Sequence, residues 1–128
     1  MKNFKVGKEI VNILSGSSDV VDALGNKIFP LVAVPNTTFP FMVYRRSYYT
    51  PASNKDYEGE KVGVEFVICA QKYEDGVDIA DKVATAINHA RTTMIDDVNI
   101  TNIREDFVED TFTQQINLEI TLKDTTIE

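Results

Sequence analysis

A chain of 128 residues, 43% hydrophobic and 26% charged, fits one domain whose core removes roughly two-thirds of the unfolded surface from water. Its net charge of −7 leaves little from which to build a phosphate-gripping face, which argues against sequence-independent nucleic-acid binding. No apolar run approaches the ~20 residues of a membrane helix, the interrupted start MKNFKVGKEIVNIL does not read as a secretory signal, and the single cysteine, Cys69, rules out an internal disulfide and suits a reducing cytosol.

Phe4, Val6, Ile10, Val11, Ile13 and Leu14 mark one broad face of a first helix over residues 4–14, closed by Gly16. Lys2, Lys5 and Lys8 recur every third residue on another side, either as a docking face for an acidic partner or as an ordinary solvated face. Ser18 or Asp19 caps a short second helix, Val20 to Leu24, stopped by Gly25-Asn26. Lys27–Val34 reads as an extended segment, an edge strand at best because of Pro30 and Pro35. Phe41–Tyr49 is then a strand rich in aromatic and β-branched residues, with residues 60–71 as its partner. The connection between them is long for a hairpin and is expected to be exposed and mobile, with Tyr57 its one apolar anchor.

In EKVGVEFVICAQ, Val62, Val64, Phe66, Ile68 and Ala70 alternate with Gly63, Glu65, Val67, Cys69 and Gln71, so the first set is a core face. The period then lengthens to about 3.6: Ile79, Ala80, Val83, Ala84, Ile87, Ala90 and Met94 form an apolar stripe that predicts a helix over 75–95. A final hairpin follows. Its last strand alternates Phe112, Gln114, Ile116, Leu118, Ile120 and Leu122 with polar residues, and its tip is acidic, with Glu105, Asp106, Glu109 and Asp110 around Phe107 and Val108. The order α-α-β-β-β-α-β-β predicts an α+β fold: a mostly antiparallel sheet with one long and one or two short helices on one face.

Catalytic chemistry finds no foothold in this pattern. Nucleophilic catalysis of the serine or cysteine kind needs a histidine, and His89 reads as a boundary residue of the long helix. Cys69 has no histidine or basic run beside it to lower its pKa. One cysteine and one histidine cannot complete a zinc tetrahedron, and Asp75, Asp78 and Asp81 are explained by the dipole of the helix they open. Asp96-Asp97 and Glu109-Asp110 lack an aromatic platform for glycoside chemistry, and no glycine-rich phosphate loop exists. Neither a cofactor nor a metal is implied. Arg45 and Arg46, with Tyr44, Tyr48 and Tyr49, form the one suggestive cluster. Strict alternation puts Arg45, Ser47 and Tyr49 on one side and Tyr44, Arg46 and Tyr48 on the other. The choice is between a protein interface and an exposed strand with Arg–Glu pairing to Glu65 or Glu60.

The helix VGKEIVNILSG, the short helix DVVDAL, the run GNKIFPLVAVPNTTFPFMVYRRS and the unit VGVEFVICAQKYEDGVDIADKVATAI together resemble the tail terminator, or tail-completion, proteins of long-tailed bacteriophages and prophages. The resemblance covers most of the chain. It departs from the family at Lys27, where arginine is more usual, and in the acidic C-terminal hairpin. It implies a non-enzymatic virion protein, found in the phage tail or in the bacterial cytoplasm when expressed from a prophage. Its subunits would form a ring, typically a hexamer, that caps the tail-tube protein, stops its polymerisation and meets the head connector, with DNA only in transit. On that footing Phe41, Val43, Arg45, Arg46, Tyr48 and Tyr49 are the expected subunit interface, through edge pairing that also engages Lys27–Val34. Asn54, Lys55, Asp56, Tyr57 and Glu58 are a lumen or partner loop, and Glu105, Asp106, Glu109 and Asp110 an acidic partner surface. The alternatives are a head-tail connector or adaptor protein, and a small-molecule-binding α+β domain with a deep pocket lined by Asp75, Asp78, His89 or Arg46.

Overall fold

Ten-residue strand β3 (Lys61–Ala70) is the centre of the sheet, and its side chains show why the fold has two unlike faces. The computed structural model describes residues 1–52 and 59–123. A 3₁₀ turn at Lys2–Lys5 leads into α1 (Val6–Ser15), followed by α2 (Ser18–Leu24), β1 (Ile28–Pro30) and β2 (Phe41–Thr50). After β3 come α3 (Tyr73–Ile87), β4 (Ile95–Val108) and β5 (Thr111–Leu122). This is the predicted α+β order. The strands lie in the order β1-β2-β3-β5-β4, with β1 parallel to β2 and every other pair antiparallel.

Val62, Val64, Phe66, Ile68 and Ala70 are all buried, as their alternation predicts. Registered beside them on the same face are Met42 of β2, Ile116, Leu118, Ile120 and Leu122 of β5, and Val98 of β4. The helices close that face with stripes spaced four residues apart: Val6, Ile10 and Leu14 from α1, Val20 and Leu24 from α2, Ile79, Val83 and Ile87 from α3. Burying each such side chain contributes about 1.5–3 kcal/mol. Gly7 lets α1 lie directly on β2, because a Cβ there would stand 3.0 Å from Cε2 of Tyr44. Among the described residues, the opposite sheet face carries no helix.

The helix ends differ from the sequence expectation. Ser17, not Ser18 or Asp19, caps α2, its hydroxyl accepting the Val20 N–H at 3.4 Å from extended backbone. The long helix stops at Ile87 rather than continuing to residue 95. Asn88 is extended, His89 takes a left-handed φ of 60°, and the His89 N–H is donated to the Val98 carbonyl at 2.8 Å. Thr92 Oγ1 then accepts the N–H groups of Met94 and Ile95 and donates to Glu9 at 2.7 Å. Ala90 and Met94, which extend the apolar stripe in sequence, pack on the core from this turn.

Candidate functional site

In β2 the expected alternation breaks. Arg45 pairs with Glu65 and Arg46 with Val64, but Tyr48 pairs with Gly63 because Ser47 is an extra residue bulged out of the ladder. Tyr48 therefore joins Phe41, Val43 and Arg45 on the open face, while Tyr49 joins Arg46 on the helix side. This reverses the predicted faces of both tyrosines. On the open face Arg45 reaches Glu65 at 3.3 Å, the anticipated cross-strand pair, exposed enough to be worth at most about 1 kcal/mol. The Tyr48 ring lies over Gly63, and its hydroxyl donates to Glu119 at 2.6 Å. Burial of that ring, then the hydrogen bond and charge of Glu119, push its pKa up to about 12. Tyr49 donates to Glu60 at 2.5 Å, which raises its pKa too.

Edge pairing through β2 is restricted by the topology. Over Met42–Tyr44 its outer side is occupied by β1, and Leu31 N–H closes on the Tyr44 carbonyl at 2.8 Å. At Phe41 and from Arg45 onward that side is without a strand partner among the described residues. The extended segment expected over Lys27–Val34 shrinks to Ile28–Pro30, since Leu31 turns away with φ 66°. The 14-residue β4, the first arm of the expected final hairpin, forms the opposite edge, a place that the sequence did not assign to it.

Beside the unpaired part of β2 lies a groove of about 340 Å³ between α1 and the end of β1. Its walls are apolar, from Phe4, Ile10, Pro30, Leu31, Tyr44 and Val64, and its rim carries Lys8, Arg45 and Arg46. Phe4 and Leu31, 64% and 74% exposed, leave apolar surface open at this groove. Arg46 stacks its guanidinium 4.7 Å from the Phe4 ring centroid and donates to Asn3 Oδ1 at 2.9 Å, so both of its partners are uncharged.

The acidic hairpin tip stands at the other side of the sheet. Phe107 packs at 4.6 Å on Phe112, which meets Tyr73 edge-on at 5.8 Å, and the Tyr73 hydroxyl donates to Glu105 at 2.9 Å. Phe107 and Val108 remain half-exposed. Glu109 and Asp110 form the two-residue loop, both with positive φ (51° and 59°), where asparagine and glycine are the easier choice. The residues Asn54, Lys55, Asp56, Tyr57 and Glu58, expected to form a lumen or partner loop, lie outside the described residues.

Groups capable of catalysis do not converge. His89 is in a turn and not in the helix, with Nδ1 3.2 Å from Asp97 Oδ1. By register, Cys69 and the row containing Asp97 are eight β3 residues apart, about 26 Å along the strand. Burial raises the Cys69 thiol pKa, which disfavours thiolate. Among the described residues no three of His, Cys, Asp and Glu are placed to hold a metal ion, and no helix is long and apolar enough to cross a membrane.

The described residues thus define a helix-backed, mostly antiparallel sheet whose distinctive chemistry sits on exposed surfaces. A scan against protein-family models and a sequence comparison with curated proteins find no match. The fold is shared with a chain of the virion of a native gene transfer agent particle, at a TM-score of 0.64 and 14% identity, covering 90% of this chain and 92% of that one. It is also shared with the gp17 protein of bacteriophage SPP1, at a TM-score of 0.58 and 16% identity, covering 97% and 93% of the two chains.

Proposed function

We propose that the chain is a non-enzymatic structural subunit of a phage tail or related particle, acting as a single domain. In this reading copies form a ring, typically of six, that caps the tail tube, stops its polymerisation and presents a surface to the head connector. The observation that carries it is the agreement between two independent lines. The sequence resembles tail terminators over most of its length, and the fold matches a gene transfer agent virion chain and a phage protein over 90% and 97% of this chain. The −7 charge suits a ring through which DNA passes, since an acidic channel repels the phosphate backbone and avoids trapping it. The groove described above, at the small end of ligand-pocket volumes, includes Arg46 but none of Asp75, Asp78 and His89 of the residues named for the small-molecule alternative.

Assembly of the cognate tail-tube protein, with and without the purified chain, tests the proposal. Electron micrographs should show tubes arrested at shorter lengths, with a disc at one end. Tubes of unchanged length, with no chain bound to them, would refute it. Binding to the portal-side connector but not to the tube would instead favour the adaptor role.

A further inference from the structure

The groove beside β2 and the β4–β5 hairpin tip have complementary chemistry and lie at opposite lateral sides of the sheet. The groove offers exposed Phe4 and Leu31 beneath a rim of Lys8, Arg45 and Arg46. The tip offers half-exposed Phe107 and Val108 amid Glu105, Asp106, Glu109 and Asp110. Strands β2, β3 and β5 separate β1 from β4, so the tip and the groove of one chain lie at different margins of the sheet. We infer that the hairpin tip of one copy docks in the Phe4–Leu31–Arg46 groove of the next. This rests on the ring reading above and names the contact that would build it.

Three observations converge on a second copy as the occupant. Charges match: Arg46 meets only neutral partners among the described residues, and Lys8 stands exposed on the same rim. The side chains of Glu109 and Asp110 carry no hydrogen bond or ion pair within the described residues, although each holds its backbone in the left-handed region that glycine or asparagine would occupy with less strain. Finally, the two surfaces are different patches on opposite sides, so their contact is head-to-tail, the kind that closes into a ring when the rotation allows. A self-matching patch would stop at a dimer.

Sedimentation velocity at low ionic strength tests this with two charge-reversed variants. Variant one carries Glu109→Lys and Asp110→Lys at the tip; variant two carries Lys8→Glu and Arg46→Glu in the groove. Each alone sets like charges against each other and should self-associate about tenfold or more weakly than the native chain. An equimolar mixture should recover native association, because the reversed tip fits the reversed groove and the two native surfaces fit each other. Because Arg46 also packs on Phe4, Leu31→Asp serves as a second groove variant. Its site is 74% exposed, so loss of association there is not loss of fold. Undiminished association in the tip variant or in Leu31→Asp overturns the contact, as does a mixture no better than its components. A native chain that stays monomeric at the highest attainable concentration overturns it too. Protection of the groove from amide exchange by tube protein, and not by a second copy, would assign the groove to another partner. None of these outcomes decides tube capping, which is read from tube length.

Discussion

Tyr48 occupies the space where a side chain at Gly63 would stand: a Cβ there would lie 2.1 Å from the Tyr48 ring. Gly63→Ala must therefore swing the ring aside and break its bond to Glu119. A loss of about 1 kcal/mol is expected in thermal melts, with the Tyr48 titration moving down from about 12 in spectrophotometric titration. The sign of the accompanying pH effect is fixed. Folding raises this pKa from 10.0, so the unfolded chain gives up the proton first, and the contribution is complete below pH 10 and lost as pH climbs through about 12. Tyr48→Phe should flatten that alkaline decline. On the acid side Asp97 contributes, its pKa lowered first by its hydrogen bond to His89 and further by the Val98 N–H, against an opposing effect of burial. Its contribution is present above the ordinary carboxylate range and disappears as pH falls through the lowered value. In His89→Ala the Asp97 carboxyl should titrate at higher pH by NMR, and acid unfolding should begin less steeply.

At the level of elements, the β4–β5 hairpin divides into two parts. Ile95 and Val98 are buried under the helices, whereas Ile103, Phe107 and Val108 are about half-exposed beyond them. Few buried contacts mean low local stability. Amides over Arg104–Val108 should exchange well before those over Val98–Ile100, and Phe107→Ala should widen the gap while leaving the slowest amides unchanged. An unaffected tip would mean the Phe107–Phe112 contact holds nothing. The proximal half of this hairpin was legible in the sequence, as were the buried faces of β3 and β5, because a period of two is fixed by covalent geometry. The helix end was not legible. Ala90 and Met94 continue the stripe, and the break comes from a bond between His89 and Val98, nine residues further along the chain. Nor was the Ser47 bulge, which depends on which β3 residue each β2 residue meets. Composition revealed the acidic tip, but the groove needed segments distant in sequence to be brought together: the N-terminal turn with α1, the β1 end, β2 and β3.

For the molecule as a whole, one core unites all three helices with one sheet face, so a defect at its centre should be felt globally. Phe66, fully buried on the central strand, is the test. Phe66→Ala is expected to remove about 3–5 kcal/mol, a large share of the 5–15 kcal/mol of an ordinary domain. Urea denaturation should show a lower midpoint with an unchanged slope if the whole unit still unfolds together. The two margins of the sheet have a further consequence. One margin is a three-residue strand ending in Pro30, which has no N–H to offer a neighbour. The other, β4, is long but interrupted by register shifts at Ile95/Asp97 and Ile100/Asn102. Neither is a good template for adding another chain's strand, and the uncovered stretch of β2 from Arg45 is itself broken by the Ser47 bulge. Such margins protect the chain from fibrillar growth and leave recruitment to side chains that recognise a particular surface.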